Sequence, residues 1–544
     1  MSQRRPDERT SVPQDELNTN LITRVNVGDM LTRAAWRSPG HLAVVDGPRR
    51  LSYRELDDEV NRLAHALLAA GYGRGDVLAL ASGNSVEFLT TYFACAKTGV
   101  VCVPINLAWG PPEVGYVLEH SRARGVVVES QLAPLVDAAI QRVASSSSVT
   151  DVLVAPGTGA AWEPGAAGTW QSLDAFVGDA PSTDPECVVG DRDPISYLYT
   201  SGTTSAPKGV VSSHVAVYIE SLNAPLVLGI NAGERSVAMM PLFHTAQLNG
   251  FTTGLLYMGG TLVLMRAFDP AALLATIETE RITQIFGLPM MYRALMDHPD
   301  VDKRDLSSLR LALYAMAPMP DTDLRRAIEV FDCDFALGFG QTEMNPITTV
   351  FPPEYQLSHA GSVGLPVPNV QVGIMDDEGT LLPVGETGEI VYRGPHAMEG
   401  YLRNEEATSE AFAHGWFHSG DVGRFDDDGL LWFADRKKDV IKSGGENVAS
   451  IEVEKALYEA EPRIQEVVVV GLPHERWSEA IAAIVTPKPG TDLTEDDVIA
   501  AAKTRLSGFK VPKAVLFVDA MPRTATGKIQ KNVLREEHRG HFEG

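Results

Sequence analysis

Strand-like and helix-like segments alternate along the first half of this chain. Asp57 to Ala70 carries apolar residues at helical spacing and ends at Gly71. The apolar run Val77 to Ala81 and the helical stretch Val86 to Thr98 follow. Further strand-like runs are Val126–Val128, Thr261–Met265 and Gln284–Phe286. This alternation predicts an α/β fold of layered, mostly parallel sheets with flanking helices.

The pattern changes twice along the 544 residues, which are too many for one hydrophobic core. After Leu365, short strands and Gly-Asp turns take over, and a charged cluster spans Asp435 to Asp439. Beyond it lie compact elements: helix Ile451–Glu459, strand Ile464–Gly471, strand Ala480–Pro487, helix Glu495–Leu506 and strand Ala514–Val518. We predict a disordered leader over 1–20, an N-terminal domain over 21–437 and a C-terminal domain over 438–544. The Ser-, Gly- and Pro-rich stretch 145–193 is predicted to be a surface excursion.

Composition excludes several classes of partner. The net charge of −25 argues against binding nucleic acid or an anionic membrane surface. The segment Met1 to Asn20 has no apolar stretch typical of a signal peptide, and the window Phe88 to Val103 is too short to span a bilayer. The four cysteines show no metal-binding or CxxC spacing. We therefore expect a soluble, cytoplasmic protein with reduced thiols.

One loop suggests phosphate chemistry. The buried strand predicted over Ile195 to Tyr199 leads into Thr200-Ser201-Gly202-Thr203-Thr204-Ser205-Ala206-Pro207-Lys208. Small hydroxyl residues, glycine and one lysine offer the groups that hold a triphosphate. The loop lacks the Gly-Lys-Ser/Thr ending of a Walker A motif. An ordinary strand-to-helix turn explains the loop equally well when it is taken alone.

Three later blocks fit nucleotide chemistry as a set. Gly338-Phe339-Gly340-Gln341-Thr342-Glu343 combines an aromatic ring, a tight turn, a hydroxyl and a carboxylate, which suit a purine, a phosphate and Mg²⁺. Trp416-Phe417-His418-Ser419-Gly420-Asp421 places a carboxylate after a glycine, and Pro522-Arg523-Thr524-Ala525-Thr526-Gly527-Lys528 presents a lysine. Each block alone is also compatible with an ordinary turn, a hairpin or a solvated surface lysine.

Together and in this order, the blocks resemble the adenylate-forming superfamily of acyl-CoA synthetases, firefly luciferase and nonribosomal peptide adenylation domains. The resemblance covers about Val27 to Leu534. It implies a large N-terminal domain with a small β-barrel-like subdomain, and a small mobile α+β C-terminal domain. It also implies ATP-dependent activation of a carboxylic acid through an acyl-adenylate, with release of pyrophosphate.

The resemblance assigns the ATP site residue by residue. It implies that the β- and γ-phosphates are held by Thr200, Ser201, Gly202, Thr203, Thr204 and Lys208. Phe339 would stack on adenine, Thr342 would contact the α-phosphate and Glu343 would hold Mg²⁺. Asp421 and Arg436 match residues that bind the ribose hydroxyls. Lys528 matches the lysine that bridges the acyl carboxylate and the α-phosphate.

The resemblance also assigns acyl, thiol and hinge positions. His244 matches the gate between the acyl and thiol channels, although a histidine that caps a helix start is the alternative. Ala315, Met316 and Ala317 would line the acyl pocket, where relatives commonly carry two glycines before Ala-Pro. Gly444 and Gly445 match a glycine pair lining the pantetheine tunnel, with Trp477 near the CoA nucleotide or in the core. Lys438 falls at the hinge of the small domain.

Three functions remain open at this stage. The first is an acyl-CoA ligase that uses ATP, Mg²⁺ and coenzyme A. The second performs the same adenylation but transfers the acyl group to an amine or to a carrier-protein thiol. The third, a catalytically silent nucleotide-binding regulator, is disfavoured because Lys208, Glu343, Asp421 and Lys528 are all retained. The identity of the acid, the pathway and the oligomeric state are not fixed by these patterns.

Overall fold

The chain forms two compact units in the computed structural model, which describes residues 13–157, 169–200, 207–316, 319–524 and 529–542. The first unit takes in the chain up to residue 360 together with 366–370 and 394–409. The second comprises 361–365, 371–393 and the chain from 410 onward. The boundary predicted between residues 437 and 438 falls inside the second unit and stays a prediction about where a mobile domain begins.

Strands and helices alternate as expected over most of the first unit. In chain order the strands are β1 (Leu42–Asp46), β2 (Arg49–Ser52), β3 (Val77–Ala81), β4 (Val101–Pro104), β5 (Gly125–Glu129), β6 (Asp151–Ala155), β7 (Thr169–Ser172), β8 (Pro194–Thr200), β9 (Lys208–Ser213), β10 (Arg235–Ala238), β11 (Thr261–Leu264), β12 (Gln284–Gly287), β13 (Leu311–Tyr314), β14 (Asp334–Gly340), β15 (Ile347–Phe351), β16 (Leu365–Pro366), β17 (Gln371–Met375), β18 (Gly388–Arg393), β19 (Gly400–Tyr401), β20 (Phe417–Phe425), β21 (Leu431–Arg436), β22 (Ile441–Ser443), β23 (Glu446–Val448), β24 (Ile464–His474), β25 (Ser478–Pro487) and β26 (Ala514–Phe517).

The helices follow the same order. They are α1 (Gln14–Thr23), α2 (Gly28–Arg37), α3 (Tyr53–Ala69), α4 (Val86–Thr98), α5 (Pro111–Ser121), α6 (Ala133–Arg142), α7 (Leu173–Val177), α8 (His214–Leu228), α9 (Thr253–Met258), α10 (Pro270–Glu280), α11 (Pro289–Met296), α12 (Asp321–Phe331), α13 (Glu405–Ala411), α14 (Ser450–Ala460), α15 (Glu495–Lys503) and α16 (Lys531–Glu537). A π-helical segment, Ala246–Thr252, leads into α9. No helix among the described residues is long and apolar enough to cross a membrane.

Two large sheets build the first unit. One has the order β19-β9-β8-β4-β3-β5-β6-β7, and the other runs within this unit in the order β15-β14-β13-β12-β10-β11-β1-β2. Strands β3 to β7 and β10 to β14 pair in parallel with their sheet neighbours, whereas β1–β2, β8–β9 and β14–β15 are antiparallel. The predicted α/β class with mostly parallel sheets is confirmed. Its strands are apolar on both faces, as expected where helices cover a parallel sheet.

The second unit contains smaller sheets. Strands β17, β18, β20 and β21 form a four-stranded antiparallel sheet in the region of short strands predicted after Leu365. Strands β22 to β25 are antiparallel to their neighbours, and β26 is parallel to β25. Helices α14 and α15 pack on this second sheet through Val453, Leu457 and Val498. The elements predicted after the charged cluster are therefore present in the predicted order.

Two expectations about the N-terminal half are wrong. Residues 14–20 of the predicted disordered leader lie in α1, because Asn20 exchanges hydrogen bonds with the main chain of Val189 through both ends of its amide. The remainder of the leader, 1–12, lies outside the described residues. The predicted surface excursion 145–193 contains β6 and β7, because its run Val152-Leu153-Val154 extends the parallel sheet beside β5.

Candidate functional site

The predicted phosphate loop connects two antiparallel strands. Strand β8 ends at Thr200 and β9 begins at Lys208, and these two residues face each other in the register. The loop is therefore a hairpin connection and not a strand-to-helix turn. The predicted phosphate-binding residues Ser201, Gly202, Thr203 and Thr204 lie outside the described residues.

Aromatic residues support the strand that leads into this loop. The Tyr199 hydroxyl lies 2.8 Å from His120 Nδ1, and the His120 ring stacks on Tyr116. Arg403 donates to the His120 carbonyl at 2.7 Å. Burial, followed by the charge of Arg403, lowers the pKa of His120, which favours a neutral imidazole. This group of side chains anchors the end of β8, and sequence reasoning did not find it.

A tight turn presents Thr342 and Glu343. Strand β14 ends at Gly340, whose φ of +152° lies in a region that suits glycine, and an added Cβ would lie 1.8 Å from the Pro346 carbonyl oxygen. The Gln341 N–H donates to that same oxygen at 3.0 Å. A 3₁₀ turn over Thr342–Met344 then leads to β15. Glycine at position 340 is thus required for the turn to close.

Two predicted residues, Lys208 and Glu343, both contact Tyr401 beside this turn. The Tyr401 hydroxyl donates to Glu343 Oε1 at 2.9 Å, and Lys208 Nζ lies 4.8 Å from the centre of the Tyr401 ring. Burial, followed by the charge of Glu343, raises the pKa of Tyr401, so the phenol stays a neutral donor. The structure therefore brings together Lys208 and Glu343, which sequence reasoning predicted separately. Tyr401 was missed because a tyrosine in a Gly-Tyr-Leu stretch carries no specific signal.

A buried polar network lies behind the Thr342–Glu343 turn. Glu220, which is fully buried on α8, accepts from the Ile347 N–H at 2.9 Å and from the Asn223 amide at 2.7 Å. The Asn345 side chain donates to the carbonyl of His396 at 2.8 Å. Burial raises the pKa of Glu220 well above its usual value. This carboxyl group holds the first residue of β15, and nothing in its helical sequence context predicts that role.

His244 has the capping contact that was the alternative to a gate. Its Nδ1 accepts from the Ala246 N–H at 3.2 Å at the start of the π-helical segment. The loop before it is fixed by buried Asn84, whose amide nitrogen lies within 3.0 Å of three carbonyl oxygens and whose Oδ1 accepts from the Leu242 N–H. The contact fixes the imidazole orientation and leaves the gate role a prediction.

The predicted acyl-pocket residues follow β13. Ala315 is partly buried, and Met316 is 37% exposed with a φ of +69°. This left-handed conformation is one that glycine adopts readily, which agrees with the glycines expected here in relatives. Ala317 lies outside the described residues.

Phe339 occupies the antiparallel hairpin beside the same turn. It is partly buried on β14 opposite Thr349, and the Thr348 hydroxyl donates to its carbonyl at 3.2 Å. The main chain around the ring is therefore fixed. Its stacking on adenine stays a prediction.

In the second unit, Asp421 and Arg436 face each other across β20 and β21. Arg436 Nε lies 3.2 Å from Asp421 Oδ1, and the Asp421 side chain is 4% exposed. The neighbouring Glu389 accepts from the Gly420 N–H and from Lys437. Burial raises the pKa of Glu389, but its hydrogen bonds from His418, Gly420 and Lys437 hold it below the usual value. The predicted ribose-binding pair is thus assembled within one sheet.

The predicted hinge lies in the turn after β21. Burial, with the nearby Arg436 and Arg535 guanidinium groups, lowers the pKa of Lys438. Two polar links flank it: Asp439 pairs with Arg535 at 3.0 Å, and Asp435 accepts from the Ser450 N–H at 2.5 Å. Lys438 therefore lies between two anchored residues.

The predicted thiol-channel residues are adjacent in the second unit. Gly444 and Gly445 have φ values of +64° and +88° in the turn between β22 and β23, a conformation that favours glycine. The Gly444 N–H donates to the Trp477 carbonyl at 2.9 Å. The centre of the Trp477 ring lies 4.4 Å from the centre of the His474 ring and 5.4 Å from Lys513 Nζ. Lys528, the remaining catalytic residue predicted, lies outside the described residues.

Comparison with known proteins assigns the family. The sequence pattern of AMP-binding enzymes matches residues 31–402, and that of the AMP-binding enzyme C-terminal domain matches residues 452–528. A feruloyl-CoA synthase from Amycolatopsis sp. is 38% identical over 94% of this chain and 98% of its own length. The chain belongs to the AMP-binding enzyme family.

Two further comparisons describe the range of this AMP-binding family. A long-chain-fatty-acid–CoA ligase of Mycobacterium tuberculosis is 34% identical over 94% of this chain and 98% of its own length. The solved structure of ATP-bound MatB from Rhodopseudomonas palustris has a TM-score of 0.87 with 29% identity, over 96% of this chain and 100% of that chain. The predicted membership of the adenylate-forming superfamily and the predicted enzymatic nature are confirmed.

The donor set at Glu343 fits one kind of metal site. Among the described residues, no group of three or more His, Cys, Asp or Glu side chains could hold a metal ion. Mg²⁺ commonly binds one or two carboxylates together with water and substrate phosphates. The partly buried Glu343 of this AMP-binding enzyme therefore suits a Mg²⁺ ion that arrives with ATP, and the described residues do not suit a metal held by protein alone.

Proposed function

We propose that this protein is an ATP-dependent acid–CoA ligase that activates a carboxylic acid as an acyl-adenylate, releases pyrophosphate and transfers the acyl group to coenzyme A. The named relatives support this activity, since the two compared by sequence are a CoA synthase and a CoA ligase. Transfer to an amine or to a carrier-protein thiol would use the same first step.

One observation carries the proposal: Lys208, Tyr401 and Glu343 meet beside the start of β9. A cation next to a carboxylate that can bind Mg²⁺ suits the phosphates of ATP. The attack of the substrate carboxylate on the α-phosphate brings two anions together, so positive charge is needed there. The nucleophile is already ionised, so no general base is needed. Asp421 and Arg436 would bind the ribose hydroxyls, and Phe339 would stack on adenine.

The charge that develops at the α-phosphate needs positive groups. Mg²⁺ on Glu343, when bound, would supply part of that charge. Lys528 would bridge the acyl carboxylate and the α-phosphate, and Thr342 would contact the α-phosphate. These roles rest on the match of residue types to the family pattern.

The second step needs a route for the thiol. The turn of Gly444 and Gly445, with no side chains of its own, offers a smooth wall for pantetheine, and Trp477 and Lys513 offer an aromatic face and a cation for a nucleotide. We propose that the segment after Lys438 moves between the two steps, withdrawing Lys528 and presenting this turn. His244 would gate the acyl and thiol channels.

The acid is proposed to be compact, cyclic or of medium chain length. The names of the relatives include both feruloyl-CoA and long-chain fatty acids, so they leave the acid open. Met316 supports the smaller class because its thioether fills space that glycine would leave empty. A cytoplasmic location is proposed because all four cysteines are free.

The test is a panel of acids incubated with ATP and Mg²⁺, together with CoA, an amine, a carrier protein or no acceptor. Pyrophosphate release and product mass are measured. The proposal expects acid-dependent pyrophosphate release and a thioester with CoA. An amide or a carrier-bound product with no CoA thioester would show that CoA is not the acceptor. ATP binding without turnover of any acid would overturn the proposed ligase activity.

Lys528→Ala separates the two half-reactions. We expect loss of acyl-adenylate formation by on the order of 10²–10³-fold, because a single charge donor in the transition state contributes about that much. Thioester formation from a presynthesised acyl-adenylate should be largely retained. Equal losses in both steps would show that Lys528 has a structural role.

A further inference from the structure

Tyr401 has its main chain held firmly on both sides. It is the second residue of β19, which pairs antiparallel with β9 so that Tyr401 lies opposite Val210. The Leu402 N–H donates to the Gly209 carbonyl at 2.8 Å, and the Tyr401 N–H donates to Thr408 Oγ1 at 2.9 Å. The ring therefore projects from a rigid backbone that is joined directly to the strand of Lys208.

The two ends of this side chain contact two different charged groups. The hydroxyl donates to Glu343 Oε1 at 2.9 Å, which fixes the rotation of that carboxylate. The ring lies under Lys208 Nζ at 4.8 Å from the ring centre, within the range of a cation–π interaction. Tyr401 is partly buried by its neighbours.

We propose that Tyr401 is a positioning residue that aligns the Glu343 carboxylate for Mg²⁺ and holds the Lys208 ammonium group towards the phosphates of ATP. This inference rests on the proposed function. It deepens that function by making the binding of metal and phosphate depend on one shared side chain.

This role predicts that Mg²⁺-dependent and metal-free ATP binding can be weakened separately, which packing alone would not produce. Removing only the hydroxyl frees the carboxylate but leaves the ring under Lys208, so the benefit of Mg²⁺ should fall while metal-free ATP binding stays. Removing the ring as well gives Lys208 more rotameric freedom, so metal-free ATP should also bind more weakly. A structural role would weaken both kinds of binding together or neither.

The experiment measures the dissociation constant of ATP by calorimetry, in excess Mg²⁺ and in EDTA. It uses the full chain as wild type, Tyr401→Phe and Tyr401→Leu. Tyr53→Phe is the matched control, because the Tyr53 hydroxyl is also buried, within hydrogen-bonding distance of the Leu256 and Gly260 carbonyls in the same unit, and touches neither Lys208 nor Glu343. Thermal unfolding midpoints are recorded for every variant.

For Tyr401→Phe we expect the affinity gained from Mg²⁺ to fall on the order of tenfold, with the metal-free dissociation constant within about twofold of wild type. For Tyr401→Leu we expect the metal-free constant to rise several-fold as well. Tyr53→Phe should keep the wild-type ratio. A Glu343→Gln variant should lose the same Mg²⁺ benefit, and combining it with Tyr401→Phe should add little further loss.

Two failures can be told apart. If wild type binds no ATP, or gains nothing from Mg²⁺, the proposed function itself is wrong. If wild type gains affinity from Mg²⁺ and Tyr401→Phe gains as much, Tyr401 does not position Glu343. An additive loss in the combined Tyr401→Phe and Glu343→Gln variant would overturn the link between the two residues, whatever the stability of either variant.

Discussion

Met316 adopts a backbone conformation that β-carbon sterics disfavour. Its φ of +69° costs roughly 1 kcal/mol or more for a residue that is not glycine. Relatives are expected to carry glycine in this segment, and a left-handed conformation is one that glycine adopts at little cost. Met316 therefore carries backbone strain at a position proposed to line the acyl pocket.

Met316→Gly should lengthen the preferred acid. Each methylene that Met316 excludes forfeits about 0.8 kcal/mol of burial, so three excluded methylenes correspond to about fifty-fold in binding. Stability should change by less than about 1 kcal/mol, since relief of strain offsets the backbone entropy of glycine. Met316→Leu, of similar volume, is the control. A chain-length series measures kcat/KM; an optimum at palmitate in wild type, unmoved in Met316→Gly, contradicts the idea.

His214, the first residue of α8, should make the protein sensitive to mild acid. It is fully buried with Nδ1 accepting from the Val27 N–H, and burial lowers its pKa to about 3. Between pH 6.5 and 3 the unfolded chain binds a proton that the folded chain refuses, so stability falls as pH falls. The loss reaches about 1.4 kcal/mol per pH unit.

The comparison uses urea unfolding of wild type and His214→Asn at pH 7 and pH 5. The asparagine amide can still accept from the Val27 N–H but does not titrate. Between these two pH values the free energy of unfolding of wild type should fall by about 2 kcal/mol more than that of the variant, because the histidine binds a proton near pH 6.5 only in the unfolded chain. Equal losses would show that this histidine is protonated in the folded state.

At the residue scale, sequence patterns identified groups whose chemistry is distinctive. Lys208 and Glu343 were predicted from separate blocks, and Asp421 and Arg436 face each other across adjacent strands. Tyr401, Glu220 and Asn84 were not predicted, since their roles depend on contacts with residues 58 to 193 positions away. A tyrosine, a helical glutamate and a loop asparagine have no local pattern that announces such contacts.

At the scale of elements, the hairpin of β14 and β15 is where sequence and geometry agree most closely. The Gly-Phe-Gly run was predicted to make a tight turn, and the turn closes on the Pro346 carbonyl. Glu220 and the Met398 N–H, which donates to the Glu343 carbonyl at 2.7 Å, hold its two ends. The turn is thus a rigid support for Thr342 and Glu343.

Gly340→Ala should slow adenylation by on the order of 10²-fold, whereas Gly338→Ala in the same motif should be tolerated. A Cβ at 340 would meet the Pro346 oxygen at 1.8 Å, but a Cβ at 338 has nothing within 4 Å. Backbone must therefore shift in the first variant, and a displacement near 1 Å can cost about 10²-fold in rate. Acid-dependent pyrophosphate release measures both variants. Equal activities would mean that Thr342 and Glu343 do not need this turn.

Elements were mispredicted where local composition conflicts with long-range pairing. The stretch 145–193 is rich in loop-forming residues, yet β6 pairs with β5 over five positions. The chain at 14–20 is polar except for Leu17, yet it forms a helix held by Asn20 and Val189. In both cases a contact distant in sequence decides the structure, and local propensity does not report it.

At the scale of the whole molecule, the order of elements was predictable from alternation and the partition into units was not. The second unit collects segments before residue 437 as well as the chain after it. Strands β18 and β20 pair across residues 394–409, which belong to the first unit, so a linear boundary at a charged cluster does not reproduce the compact units. The hinge remains a separate prediction, because a hinge is defined by motion and not by packing.

Lys438→Pro should impair thioester formation more than adenylation. Proline fixes φ near −65°, so a hinge that must change its backbone conformation between the two steps would be held in one. Lys438→Ala is the matched control, because it removes the same ammonium group and leaves φ free. The two half-reactions are measured separately, as pyrophosphate release and as thioester formation from a presynthesised acyl-adenylate.

We expect the alanine variant to run both half-reactions near the wild-type rate and the proline variant to lose the rate of thioester formation by at least tenfold. If both steps stay at the wild-type rate in Lys438→Pro, the hinge lies elsewhere or the two steps share one conformation. If proline and alanine impair thioester formation equally, the lost charge is the cause, and the backbone at position 438 does not move.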